Sequence, residues 1–189
     1  MINWPTVRIS DVFNLQMGKT PARDNPTYWG GDKNWASIAD IAKSGKYISE
    51  TKESISDTAI EETGIKAVPA KTVIMSFKLS IGKTAITTTD IFTNEAIMAF
   101  LPHKTNDYDI DFLYHLFSNR DWSQGSNKAV KGITLNKASL NAARIPKPEL
   151  SEQKKIATTL NKICSIIENS EEQISRLDQL VKSQFVEAA

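Results

Sequence analysis

Cysteine and histidine are nearly missing from this sequence: among 189 residues, Cys164 is the one cysteine, and His103 and His115 are the two histidines. A single thiol excludes a disulfide framework and any multi-thiolate metal centre, and it suits a reducing, cytosolic compartment. No apolar run approaches the ~18 residues of a membrane span. The opening Met1-Ile2-Asn3-Trp4-Pro5 has no signal-peptide layout. Missing too are a GxSxG elbow, a Walker A loop, an HExxH helix and a GxGxxG turn. So are the glycine-rich cofactor loop and the Asn/Asp-Pro-Pro-aromatic motif that methyl transfer to a base would need. We therefore expect no catalytic residue, no metal site and no cofactor in this chain. Strong net charge is absent as well, with 23 basic against 22 acidic side chains.

That balance is uneven along the chain. Residues 1–70 carry eight basic and nine acidic side chains, 71–148 ten and six, and 149–189 five and seven. Between positions 119 and 148, Arg120, Lys128, Lys131, Lys137, Arg144 and Lys147 face only Asp121. Local clustering of this kind attracts phosphate more than overall charge does, although a solvated lysine-rich face is the plainer account. With 40% apolar and 24% charged residues the composition is that of a folded globular chain. Its length allows one domain with an appendage, or two small domains.

Up to about residue 148 turn signals break the sequence: Met17-Gly18, Thr20-Pro21, Asn25-Pro26, Gly30-Gly31, Ser44-Gly45, Ser80-Ile81-Gly82 and Gln124-Gly125-Ser126-Asn127. Between them, residues 68–77, 84–88 and 96–101 have the β-branched and apolar content of strands. Residues 109–117 have an acidic start and set Phe112, Leu113, Leu116 and Phe117 on one side, as an amphipathic helix does. His115 then belongs to the edge of a core and is not a ligand. Residues 136–143 are a second, shorter helix. Strands with a few helices and no strict alternation predict an α+β fold.

After Ile145-Pro146-Lys147-Pro148 neither glycine nor proline recurs. The pattern predicts a helix capped by Ser151, with Glu152 in its first turn complementing the helix dipole. Ile156, Leu160, Ile163, Ile167, Ser170, Ile174, Leu177, Val181 and Gln184 follow alternating steps of four and three, and seven of these nine are apolar. That is a coiled-coil seam. A helix from Glu152 to Glu187 is ~54 Å long at ~1.5 Å per residue, and its stripe needs a partner. The division is a β-rich domain over residues 1–148, followed by one long coiled-coil helix over 149–189.

With catalytic motifs absent, binding remains. Trp4, Tyr28, Trp29, Trp35, Tyr47 and Trp122 lie among polar loops, where rings pack on sugars or bases, or close the core beneath. Trp4 and Trp35 are expected in the core. Two rival readings stand beside a nucleic-acid binder. Asp40 followed by Glu50-Thr51-Lys52 fits a loose Asp…Glu-x-Lys pattern of metal-dependent nucleases, one that chance supplies often. A coiled-coil adaptor that binds only protein leaves the polar, aromatic and basic loops 18–31 and 78–83 without a role.

The motifs also have an order. Trp4-x-x-Val7, Gly18-x-Thr20-Pro21, Tyr28-x-Gly30, Trp35 with Asp40, Pro69-x-x-Thr72 and Ser80-Ile81-Gly82 are followed by Ile145-Pro146-x-Pro148-x-Leu150-x-Glu152-Gln153. Over nearly the whole chain this series resembles the specificity (S) subunits of type I restriction–modification systems. The resemblance implies a target-recognition domain reading one half of a bipartite double-stranded DNA site. It also implies a helix that forms an antiparallel coiled coil and docks methyltransferase (M) subunits, and through them restriction (R) subunits. S-adenosylmethionine, ATP and magnesium would belong to those partners. Members of the family carry two recognition domains and two helices, whereas this sequence has one of each, as a half-subunit or a shortened form would. A homodimer through Ile156, Leu160, Ile163, Ile167, Ile174, Leu177 and Val181 would restore the pair. Lys71 stands where a glycine is common before Thr72.

Under this resemblance three loops are expected to converge on one face of the domain. They carry Lys19, Thr20 and Arg23 with Tyr28, then Lys78, Ser80 and Lys83, and finally Asn127, Lys128 and Lys131. The lysines would hold phosphates, while Arg23 and Asn127 would read base edges.

Overall fold

Strands buried on both faces must be apolar at nearly every position, which is why the middle of the chain carries unbroken apolar runs. The structure, a computed structural model, describes residues 4–104, 107–122 and 135–187. The domain opens with β1 (Thr6–Arg8), α1 (Ile9–Val12), β2 (Phe13–Met17), a 3-10 turn (Pro26–Tyr28), β3 (Trp29–Ala36), α2 (Ile38–Ser44), β4 (Tyr47–Ile48), β5 (Glu53–Ile55) and α3 (Asp57–Thr63). It continues through β6 (Val73–Ser76), β7 (Thr84–Thr87), β8 (Phe92–Thr93), β9 (Ile97–Pro102), α4 (Ile110–Ser118), α5 (Lys137–Ala142) and β10 (Arg144–Pro146) into the long α6 (Leu150–Glu187).

A five-stranded sheet in the order β2-β9-β6-β7-β4 organises the domain, antiparallel except where β4 meets β7. Alternate residues of its strands feed two cores. Val73, Met75, Ile86, Met98 and Phe100 cluster with Ile9 of α1, Leu113 and Phe117 of α4, and Leu140 of α5. Their neighbours Ile74, Ala85, Ile97 and Ala99 cluster instead with Ala36, Ile41 and Val68. A three-stranded sheet, β5-β3-β8, closes a smaller core of Trp35, Ile55, Ala59, Ile65 and Phe92. Finally, β1 pairs with β10 and ties the start of the chain to the segment that enters α6. The architecture is α+β, a β-rich domain followed by one long helix. Among the described residues no helix is long and apolar enough to cross a membrane.

Local signals place α4 and α5 well. Their caps Asp109 and Asn136 accept from Phe112 N and Ser139 N at 3.0 and 2.8 Å. Phe112, Leu113 and Phe117 are buried as the periodicity requires.

Three expectations are corrected. Residues 68–77 are not one strand. Only Val73–Ser76 pairs as a strand, because Pro69 and a left-handed Lys71 at φ 59° interrupt the run; Val68 makes an isolated bridge to Ile91. Gly30-Gly31 is no turn either. It lies inside β3, whose register against β5 shifts between Trp29 and Lys33. Gly30 takes φ 79°, and a Cβ on Gly31 would stand 2.3 Å from the Ile55 carbonyl oxygen. Glycine here makes a bulge. Ser151 does not cap α6, since Gln153 N already donates to Glu149 O at 3.0 Å. The Gln153 side chain, bonded to Pro148 O, closes the first turn two residues earlier than the capping pattern suggests.

Candidate functional site

Strand register brings the basic loops together. Met17 pairs with Met98, Ser76 with Ile97 and Met75 with Thr84. The ends of β2 and β6 and the starts of β7 and β9 therefore lie at one end of the sheet. Gly18 N donates to Ile97 O at 3.1 Å and Lys19 N to Thr93 O at 2.8 Å, closing the first loop onto the segment before β9. A Cβ on Gly18 would stand 2.2 Å from Thr93 O and 2.3 Å from Asn94 O, so only glycine passes here. The Thr20 hydroxyl donates to the Glu95 carboxylate. From the other side, Phe77 N donates to Ala96 O at 2.9 Å.

Glu95 is the meeting point of the two loops. The Thr20 hydrogen bond holds its carboxyl below the usual range against the opposing effect of burial, and the Lys78 and Arg23 charges add to the lowering. Two of the three expected loops thus share one end of the domain. Asn127, Lys128 and Lys131 lie outside the described residues. Trp122 Cδ1 lies 3.4 Å from where a Gly82 Cβ would stand.

The β6–β7 loop is held by its own backbone and one serine. Ser76 N donates to Lys83 O at 2.8 Å and Gly82 N to Ser76 O at 3.0 Å. The Ser76 hydroxyl donates to Ser80 O and accepts from Lys83 N at 3.1 Å. Gly82 at φ 89° and Leu79 at φ 61° both take the left-handed conformation. Leu79 is 89% exposed at the tip, flanked by Lys78 and Ser80. Sequence reasoning missed it, although an apolar residue inside a polar, lysine-flanked turn was a visible signal. Lys83 is exposed, and among the described residues no carboxylate pairs with it.

The first loop is more heavily braced. Arg23 grips the Glu53 carboxylate with both terminal nitrogens at 2.5 and 3.1 Å. Its guanidinium lies 3.9 Å from the centroid of the Trp29 ring. Lys19 Nζ donates to Thr63 O, at the C-terminal end of α3, at 2.5 Å. Tyr28 donates to Glu62 at 2.7 Å, and that hydrogen bond, with burial, raises its phenol. Trp35 is buried, as expected, and donates to Lys19 O at 3.0 Å. Trp4 is half-buried and donates to Glu152 at 3.1 Å.

In the nuclease pattern the Asp40 carboxylate is already engaged. Both Asp40 oxygens are occupied locally: Oδ2 accepts from Ser37 N at 2.8 Å and from its hydroxyl at 2.6 Å, and Oδ1 accepts from Lys52 N at 3.1 Å. Burial would raise this carboxyl, but those hydrogen bonds hold it below its usual value. Asp40 is an N-terminal brace of α2. Among the described residues no three His, Cys, Asp or Glu side chains are grouped to hold a metal ion.

The seam of α6 divides into two parts. Ile156 and Leu160 are half-buried at its root. Ile163, Ile167, Ile174, Leu177 and Val181 are 47%, 51%, 60%, 61% and 54% exposed. Ile166 and Leu180, which the four-three count leaves off the seam, widen the exposed stripe.

At the root the helix is tied by polar side chains. Asn161 Oδ1 accepts from Lys46 Nζ at 2.8 Å and lies 2.7 Å from His115 Nε2, and Asn161 Nδ2 donates to Asp111 at 3.0 Å. Lys46 also pairs with Asp111 at 2.8 Å. Burial would raise the Asp111 carboxyl, but the bonds from Lys46 and Asn161 and the Lys46 and His115 charges hold it below the usual range. A carboxylate so lowered stabilises the fold above its unfolded pKa of about 3.9, and the contribution is lost as pH falls through the folded value. Thermal melts should separate the wild type from Asp111→Asn at pH 7, begin to converge only below about pH 4, and meet once the pH is below the lowered folded value. A gap persisting unchanged into stronger acid would contradict this account of the root.

Comparison with known proteins agrees with this architecture. The family model described as "Type I restriction modification DNA specificity domain" matches residues 1–179. The type I restriction enzyme MjaIX specificity subunit of Methanocaldococcus jannaschii is 29% identical over 187 residues, covering 97% of this chain and 43% of that protein. The EcoprrI specificity subunit of Escherichia coli is 26% identical over 169 residues, covering 84% of this chain and 42% of its own length. The chain therefore spans less than half of either relative. The fold also matches the crystal structure of the HsdS subunit from Thermoanaerobacter tengcongensis, with a TM-score of 0.64 at 20% identity, over 87% of this chain and 38% of that one.

Proposed function

Because the chain belongs to the type I restriction–modification DNA specificity family, we propose that it reads one half of a bipartite DNA target and brings methyltransferase subunits, and through them restriction subunits, to that site. The observation that carries this reading is the meeting of the 18–23 and 78–83 loops at Glu95, at one end of the sheet. In this reading Lys78 and Lys83 hold phosphates, and Ser80 and the Leu79 tip lie against the DNA between them. An apolar side chain of this kind contacts a thymine methyl in the major groove. Lys19, Thr20, Arg23 and Tyr28 build the opposite wall, with Arg23 pre-oriented by Glu53 and Trp29. Asn127, Lys128 and Lys131 are proposed for the same surface on their sequence alone.

The β-rich part, residues 1–148, is the reading domain in this proposal, and residues 149–189 are the spacing and docking element. The exposed stripe of α6 pairs antiparallel with a second such helix, and the paired helices fix the distance between two reading domains as dimer geometry does in other DNA readers. Methyl transfer from S-adenosylmethionine and ATP-driven cleavage reside in the partner subunits, and this chain contributes no catalytic residue. Sequencing methylated bases in cells with and without the gene tests the proposal. A bipartite methylated motif should vanish on deletion and return on complementation. Methylation unchanged by deletion, or methyl transfer by the purified chain alone, would overturn it.

A further inference from the structure

The root of α6 has a feature that reading and pairing do not use. Gln153, Ala157 and Asn161 follow one another at steps of four on one face of the helix, beside the seam but distinct from it. Gln153 is 1% exposed. Its Oε1 accepts from Asp109 N at 2.9 Å, at the cap of α4, and its Nε2 donates to Pro148 O at 2.9 Å and Asp107 O at 3.4 Å. Ala157 is 3% exposed, a small residue that lets α6 lie close to the domain. Asn161 joins Lys46 before β4 to Asp111 and His115 of α4. Two buried or half-buried amides, eight residues or ~12 Å apart along the axis, therefore pin one helix to another at two points. Two directional pins remove rocking that an apolar contact alone would permit, because sliding or tilting leaves hydrogen-bonding groups unpaired.

Leverage makes those pins matter. From Asn161 to Glu187 the helix runs ~39 Å at ~1.5 Å per residue, so a 10° tilt at the root moves its far end by ~7 Å. That displacement is about two base-pair steps of ~3.4 Å. We infer that Gln153 and Asn161 are positioning residues which fix the angle between α6 and the reading domain, and through it the number of base pairs between the two half-sites. The inference rests on the proposed function, and it adds a separable claim about angle.

The test has two arms. Nitroxide labels at Glu61→Cys on α3 and Glu171→Cys on α6, in a Cys164→Ser background and diluted with unlabelled chain, report the angle as a distance distribution. Both sites are exposed. The second arm is methylation by the assembled enzyme of a DNA library whose spacer varies one base pair at a time. Asn161→Leu removes the pin, and the isosteric Asn161→Asp sets a carboxylate against Asp111 while keeping the packing. The expected result is a single narrow distance for the wild type that broadens in both variants. Methylation should spread to spacers one or two base pairs longer or shorter, with at least a tenfold loss of spacer preference and unchanged half-site bases. A distribution as narrow in Asn161→Asp as in the wild type overturns the inference, and so does a broadened one with unchanged spacer preference. Absence of bipartite methylation by the wild-type assembly would instead overturn the proposed function, and the distance arm would then decide the pins alone.

Discussion

Replacing Ile163 and Ile174 by aspartate is expected to convert a dimer of this chain into monomers in analytical ultracentrifugation. Five seam residues from Ile163 to Val181 stand about half exposed or more on the described part of α6. Fully burying such a side chain is worth roughly 1.5–3 kcal/mol, and about half of that is left to gain here, so five of them, doubled by symmetry, favour a helix pair against the entropy of association. An aspartate at the same position replaces that gain with an unpaired carboxylate in an apolar seam, a cost of several kcal/mol at each site. The root offers the seam a continuation. A groove of about 400 Å³ lies between α4 and α6, lined by Trp4, Phe112, Leu116, Pro146, Ile156 and Leu160 among others. An antiparallel partner helix would run its end toward this groove and cover the half-buried Ile156 and Leu160. A wild-type chain that remains monomeric at tens of micromolar would refute the pairing.

The second large effect is on DNA affinity. If each reading domain neutralises roughly three to five phosphates, log affinity should fall with log salt at a slope of about −3 to −5. A fourfold rise in salt then weakens binding by roughly two to three powers of ten. Lys83→Ala should weaken all sequences about equally and flatten the slope by about one, because an exposed lysine on a pinned loop holds a phosphate and reads no base. Arg23→Ala should cost about 1–3 kcal/mol on the cognate site and little elsewhere, as loss of a base contact does. The Glu53 pair and the Trp29 face already fix the guanidinium, so the donors that Glu53 leaves open have little freedom left to lose on binding. Fluorescence anisotropy across a salt series measures both variants. Salt-independent binding, or no loss when Lys83 and Arg23 are changed together, would place the DNA on another face.

What could be read in the chain itself was local or periodic. Asp109 and Asn136 announce their helices because a cap acts within three residues, and the α6 stripe announces itself because its period repeats for eight turns. The order of short motifs ending in Pro146-x-Pro148 and Glu152-Gln153 was sufficient to place the family. The break in residues 68–77 was legible only in part: Pro69 and the glycine common at position 71 point to it, but the left-handed turn of Lys71 is fixed by its N–H donating to Thr87 O at 2.7 Å. The bulge at Gly30-Gly31 was not legible, because the constraint is the Ile55 backbone of another strand. The meeting at Glu95 joins residues 75 positions apart, and the Lys46–Asn161 bond joins residues 115 apart. Composition and spacing carry no term for such pairs. Their geometry exists only once strand register has set which loop ends share an edge, and once α4 and α6 have packed. The sequence by itself determined α4, α5, the long α6 with its apolar stripe, and the family. The tertiary structure decided which basic side chains share a surface and at what angle the helix leaves it.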